Sequence, residues 1–231
     1  MQSFTVPVRF CGPPGSGNGG YACGMVAGKL GSVIECTLRS PVPLDALLQV
    51  ERTQAGAVLR QGDKVIIEAQ STTLAVEPPT PIRLEAATAA MATSLALDPR
   101  HPFPTCFVCG PQREMRDGLR IFPAAIDEEL YAATWLPAPE FGDSRQLLKT
   151  EFLWAALDCP TGFAAGFPAA GKLVTGRLAV EQLQPVRVGE SCLLLSWPLG
   201  MEGRKHFSAA CLYQNETLCA VARATWIRLE A

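Results

Sequence analysis

The feature that most restricts this chain is "KTEFLWAALDCPTG", residues 149 to 162. Phe152, Leu153, Trp154, Ala155, Ala156 and Leu157 leave no polar stripe on a helix built from them. A helix that is apolar all round must be covered on every side. Pro160, which cannot donate to a helical ladder, is expected to end that helix near residue 159. A second short apolar helix is expected over residues 19 to 29, "GGYACGMVAGK".

The surroundings of the two helices repeat. A strand is expected before each, "FTVPVRF" (4 to 10) and "ELYAATWL" (129 to 136). After each, "TLRSPVPLDALLQVE" (37 to 51) parallels "VEQLQPVRVGESCLLLS" (180 to 196), and "DKVIIEAQSTTLAV" (63 to 76) parallels "ETLCAVARATWIRL" (216 to 229). In the last pair Ala69-Gln70-Ser71-Thr72 falls in register with Ala222-Arg223-Ala224-Thr225. Such internal similarity marks a duplicated unit. Each half reads as strand, loop, buried helix, then three or four antiparallel strands joined by turns such as Gln61-Gly62-Asp63-Lys64. An antiparallel sheet curled around each helix buries it, and two such sheets side by side make one continuous sheet, an α+β architecture. The halves are expected at 1 to 78 and 121 to 231. A proline-rich linker or excursion at 79 to 120 separates them, running from "EPPTP" to "DPRHPFPTCFVCGPQRE".

Composition narrows the partners. Hydrophobic residues make up 48% and charged residues 18% of 231, enough for a sizeable core. A net charge of −2 gives no electrostatic footprint for nucleic acid or an anionic membrane. No apolar run reaches the length of a membrane span, and "MQSFTVPVRF" lacks the pattern of a signal peptide. Nine cysteines, an odd number lying mostly in apolar runs, point to reduced, buried thiols and a cytoplasmic location. Two histidines, His101 and His206, leave little material for His-based nucleophile or metal sites.

Chemistry is concentrated at two places. The first 34 residues contain no Asp or Glu, but "GPPGSGNGGY" offers glycines at a helix start. Unpaired amides there carry the positive end of the helix dipole. Asp158 stands in the apolar run of the second helix, where burial raises a carboxyl pKa and makes a stronger base. Its bland reading is a helix end or a cap on the turn Pro160-Thr161-Gly162. Counting from each helix start, Asn18 corresponds to Lys149 and Ala27 to Asp158. One half keeps the glycines and lacks the acid; the other has the reverse.

This paired arrangement resembles the hot-dog fold acyl-CoA thioesterases, as a double hot-dog chain, with "NGGY" and "WAALDCPTG" similar to the two motifs of the phenylacetyl-CoA type. In that family a His-Gly-Gly opens one helix and an Asp follows from the facing hot-dog. The glycine amide polarises the thioester carbonyl while the carboxylate attacks it or activates water. The resemblance implies Gly19 or Gly20 as oxyanion donor, Asn18 in the place of the His, and Asp158 as nucleophile or general base. Thr161 is then a neighbour that positions water. Tyr21, Arg177, Arg116 and Arg120 are candidate substrate contacts, the last two (with Arg113) for the coenzyme A phosphates. The expected partner is an acyl-CoA or related thioester, with no cofactor beyond the coenzyme A of the substrate. Two chains pairing as a homodimer is a further expectation. Losing an oxyanion donor typically costs about 2.7–4 kcal/mol of barrier, so the glycines matter as much as the acid. The Asn in place of His also keeps open a non-catalytic acyl-binding or regulatory protein.

Other readings fit less of the chain. Gly15, Gly17 and Gly20 have the dinucleotide spacing, but no parallel βαβ unit follows, and the Walker Gly-Lys-Ser/Thr ending is missing. A hot-dog hydratase needs a His close to the Asp. A lipocalin-like carrier does not account for two buried helices. Cys106-Phe-Val-Cys109 with His101 supplies three quarters of a zinc site without an adjacent fourth ligand, so no metal is expected and packing thiols are the alternative.

Overall fold

The computed structural model describes residues 2–31, 33–99 and 101–230. In chain order the elements are β1 (Gln2–Phe4), α1 (Gly19–Ala27), β2 (Ile34–Leu38), β3 (Leu48–Arg52), β4 (Gly56–Gln61), β5 (Lys64–Ser71), α2 (Leu84–Met91), β6 (Ala124–Ala125), β7 (Tyr131–Trp135), α3 (Thr150–Ala164), β8 (Leu173–Gln182), β9 (Cys192–Glu202), β10 (Lys205–Gln214) and β11 (Thr217–Arg228). All the strands form one sheet in the order β1-β3-β4-β5-β2-β8-β11-β10-β9-β7-β6.

The order contains the duplication. The run β1-β3-β4-β5-β2, with α1 inserted after its first strand, is repeated as β7-β9-β10-β11-β8, with α3 in the same place. The halves meet antiparallel where Glu35 faces Ala179 and Thr37 faces Arg177. The repeated order read from the sequence is thus the repeated order of the strands.

The two helices pack against each other under the sheet. Every residue of α3 from Phe152 to Ala164 is buried, as its apolar circumference requires. On α1, Gly20 and Gly24 allow the close approach. A Cβ on Gly20 would stand 2.5 Å from Asp158 Cβ and 2.6 Å from the Trp154 carbonyl oxygen. One on Gly24 would stand 2.6 Å from Glu151 Cα. Later residues on α1 meet earlier ones on α3, so the helices run antiparallel and the start of α1 lies beside the second half of α3.

Two local expectations need correction. Pro160 does not end α3, which continues to Ala164. The proline forfeits one ladder bond, but Thr161, Gly162 and Phe163 beyond it are buried in the core, and that burial holds the extra turn. The strand expected at 4 to 10 is confined to β1. Pro7 has no N–H for a ladder, and Val8–Phe10 forms a 3-10 turn instead. Residues 79 to 120, read as a linker or excursion, pack against both apolar clusters of the core. Ala87 of α2 joins an apolar cluster with Leu193, Leu195 and Val221, apart from the main core. The chain then re-enters the main core at Phe107 and Val108, both fully buried. Among the described residues no helix is long and apolar enough to cross a membrane.

Candidate active site

Asn18 caps α1: its Oδ1 accepts the Tyr21 amide at 2.8 Å, as a short polar side chain does at this position. The loop before it is pinned down. Gly17 N–H donates to the Val42 carbonyl at 2.8 Å, and Ser16 Oγ accepts the Val42 amide at 3.0 Å. Gly15, at φ +74°, makes the turn that an L side chain resists. The glycine-rich stretch is therefore an ordered entry to a helix, fastened to the loop after β2.

Asp158 meets this helix start. Its Oδ2 accepts the Gly20 amide at 2.9 Å and Asn18 Nδ2 at 3.2 Å, and its Oδ1 accepts Thr175 Oγ at 2.8 Å. The carboxyl is 1% exposed. Burial raises its pKa to about 6, against the lowering effect of the bonds from Thr175, Gly20 and Asn18; the Cys106 sulfur pushes it further up. A buried carboxylate is costly unless donors satisfy it, and here three neutral donors share that task.

The amides at the start of α1 are divided. Gly20 N–H serves Asp158, Tyr21 N–H serves the cap, and Ala22 N–H bonds the Asn18 carbonyl. Among the described residues Gly19 N–H has no acceptor. Gly19 lines a cavity of about 620 Å³ together with Asn18, Asp158 and Thr175. Leu38, Phe163, Phe167 and Trp226 give it apolar walls, and residues 13 to 17 and 39 to 41 also contribute. Its composition suits a small apolar group held near a few polar ones.

Other residues singled out from the sequence lie elsewhere. Thr161 Oγ donates to the Asp158 backbone carbonyl at 2.6 Å and accepts Trp226 Nε1 at 2.9 Å; it bonds the helix, not the carboxylate. Tyr21 stacks on Phe10 at 4.2 Å, outside the cavity lining. Arg177 reaches Glu35 at 3.4 Å where the two halves meet. Arg116 donates nothing to the cavity, and its carbonyl accepts Arg9 at 2.9 Å. Arg120 lies over the Phe122 ring at 5.1 Å and donates to the Arg113 carbonyl. Arg113 is bound to Asp117 at 2.7 Å. The cation on the cavity lining is Arg39, which pairs with Glu68 at 2.6 Å.

Thr175 was not singled out although it lies two residues before Arg177. A strand alternates faces, so residues two apart normally share one. Here Arg177 pairs with Thr225 but Thr175 pairs with Trp226, which leaves Gly176 unpaired as a bulge. The bulge turns Thr175 to the cavity and Arg177 to the outer face. The lone Gly within "LVTGRLAV" was the available signal.

No protein-family model matches the sequence, and no curated protein matches it. Solved structures do. A candidate thioesterase of Novosphingobium aromaticivorans superposes with a TM-score of 0.64, covering 99% of this chain and 95% of its own, at 13% identity. The PaaI protein of the Escherichia coli phenylacetic acid degradation operon matches 48% of this chain and 84% of its own, at 14% identity and TM-score 0.43. Coverage of nearly the whole chain by the first, together with the repeated strand order, makes this polypeptide a double hot-dog.

Proposed function

We propose that the protein hydrolyses acyl-CoA or related thioesters at the single junction between the start of α1 and Asp158. The observation that carries the proposal is the division of labour among the first amides of α1. Gly20 holds the carboxylate at 2.9 Å, while Gly19 N–H, one residue earlier, has no acceptor among the described residues and lies beside the cavity.

The chemistry follows from those positions. A thioester carbonyl oxygen set against Gly19 N–H is polarised by an amide at the positive end of the helix. Asp158 removes a proton from water as the water oxygen attacks the carbonyl carbon, and negative charge moves to the carbonyl oxygen. The tetrahedral intermediate collapses, the C–S bond breaks, and the thiolate leaves with a proton returned from Asp158. Asn18 and Thr175 hold the carboxylate and do not touch the reacting atoms. A thioester is already activated, so no histidine is required.

A second reading, acyl binding without turnover, is favoured by the same carboxylate. Its Oδ2 already accepts two donors, and its side chain is almost fully buried. The two are separated by incubating the protein with a panel of aliphatic and aromatic acyl-CoAs, measuring binding by calorimetry and free thiol by a chromogenic disulfide. Thiol release well above the uncatalysed rate is the expected result. Saturable binding with no release would establish the carrier reading, and neither binding nor release would remove both.

A further inference from the structure

One wall of the cavity carries a second cluster that thioester hydrolysis does not use. Cys106 and Cys109 bracket a tight turn in the returning segment, where Gly110 N–H bonds the Cys106 carbonyl at 2.9 Å. Cys159 arrives from α3, immediately after Asp158. The three Sγ atoms all lie within 4.8 Å of one another, and all three side chains are buried. Cys106 and Cys159 sulfurs are 3.7 Å apart, and none of the three cysteines is in a disulfide. His101 places Nε2 3.6 Å from Cys109 Sγ.

These distances suit a shared ion better than a bond or loose packing. A disulfide needs its sulfurs about 2.05 Å apart and would leave the third thiol without a role. Thiolates about 2.3 Å from a tetrahedral zinc ion stand about 3.8 Å from one another, close to the Cys106–Cys159 spacing. Soft sulfur ligands select zinc-like ions over calcium or magnesium. The histidine has a defined part. Its Nδ1 accepts the Phe103 amide at 3.0 Å, which puts the neutral ring's proton on Nε2, facing Cys109. In that tautomer the ring cannot ligate through Nε2 but can donate to a coordinated thiolate, as groups surrounding metal ligands do.

We propose that Cys106, Cys109 and Cys159 bind one zinc ion as thiolates, with His101 donating to the Cys109 sulfur and the fourth position open to water from the cavity. All three cysteines line that cavity, so solvent has access to the position. Each thiol releases its proton to solvent as the ion binds. The ion fastens the segment around residues 106 to 109 to α3 beside Asp158, and through α3 it steadies the position of the carboxylate. The third thiolate, Cys159, lies fifty residues downstream of Cys109, outside the sequence motif.

The test is cobalt titration of the full chain, reduced and stripped of metal, followed by zinc competition. The expected result is saturation at about one ion per chain. It should show sulfur-to-cobalt charge-transfer absorption in the near ultraviolet and intense tetrahedral bands in the visible, bleached by zinc. Cys109→Ser and Cys159→Ser should each lose these bands, while Cys211→Ala, away from the cluster, keeps them. His101→Gln should keep the bands and weaken zinc binding about 10- to 100-fold. Absence of thiolate bands in the reduced wild-type protein at saturating cobalt would overturn the proposal. The spectrum needs no substrate, so this test and the hydrolysis test can fail independently.

Discussion

The fold builds the same helix junction twice, and only one copy sets a buried acid against a side-chain-capped helix start. At the first, Asn18 caps α1, Gly20 N–H points at Asp158, and Gly19 N–H has no acceptor among the described residues. At the second, Lys149 precedes α3 with no side-chain cap, and the position matching Asp158 is Ala27, a buried methyl. Gly24 presses on Glu151 at that end as closely as Gly20 does on Asp158, while Gly28 is looser, its Cβ meeting Thr150 Cβ at 3.4 Å. The same two helices therefore pack antiparallel at both ends, with the paired donor and acid present at one end.

Substitutions can break that contrast directly. Gly20→Ala pushes a methyl into α3, and overpacking of this kind costs about 1–3 kcal/mol. It also spoils the bond to Asp158, so both unfolding temperature and turnover should fall. Gly28→Ala at the other junction should shift stability by no more than about 0.5 kcal/mol. Paired thermal unfolding curves measure this, and equal effects would mean that Gly20 and Gly28 are packed alike.

The two threonines sharpen the comparison at one end. Thr175→Val removes a donor to the carboxylate. A hydrogen bond to a charged group is worth about 1.5–3 kcal/mol, so kcat should drop about tenfold to a hundredfold. Thr161→Val leaves Trp226 Nε1–H without its acceptor, costing about 1–3 kcal/mol of stability with kcat nearly unchanged. A reversal of the two outcomes would return Thr161 to the role expected from the sequence.

The caps differ as well. Asn18→Ala loses the Tyr21 bond and should cost about 0.5–2 kcal/mol in denaturant unfolding. Lys149→Ala, with no cap bond to lose, should cost less. The smallest effect is expected at the surface: Arg39→Ala should raise KM for coenzyme A esters a few-fold, more than Arg177→Ala does, with kcat unchanged for both.

Much of this was legible before the structure. An all-apolar helix has only one kind of surrounding, and a repeated sequence of elements implies two like halves in one continuous sheet. Asn18 and Asp158 could be paired because each half carries the part the other lacks, glycines at one helix start and an acid late in the other helix. What could not be read depends on local irregularity. The bulge at Gly176 exchanges the faces of Thr175 and Arg177, and period-two counting cannot foresee it. Pro160 stays helical because the residues beyond it are buried. The proline-rich segment looked like a connection, yet Phe107 and Val108 between its cysteines belong to the core. The division of labour between Gly19 and Gly20 required coordinates, since adjacent glycines are identical in the sequence.

The central claim is tested most directly by Asp158→Asn, measured by thiol release and acyl-CoA binding on the same preparation. The amide oxygen can still accept Gly20 and Asn18, and its NH2 can donate to Thr175 Oγ, so the fold and the cavity are retained. The account predicts binding close to that of the wild type and a rate lower by about 10²–10⁴-fold. Undiminished thiol release would contradict it.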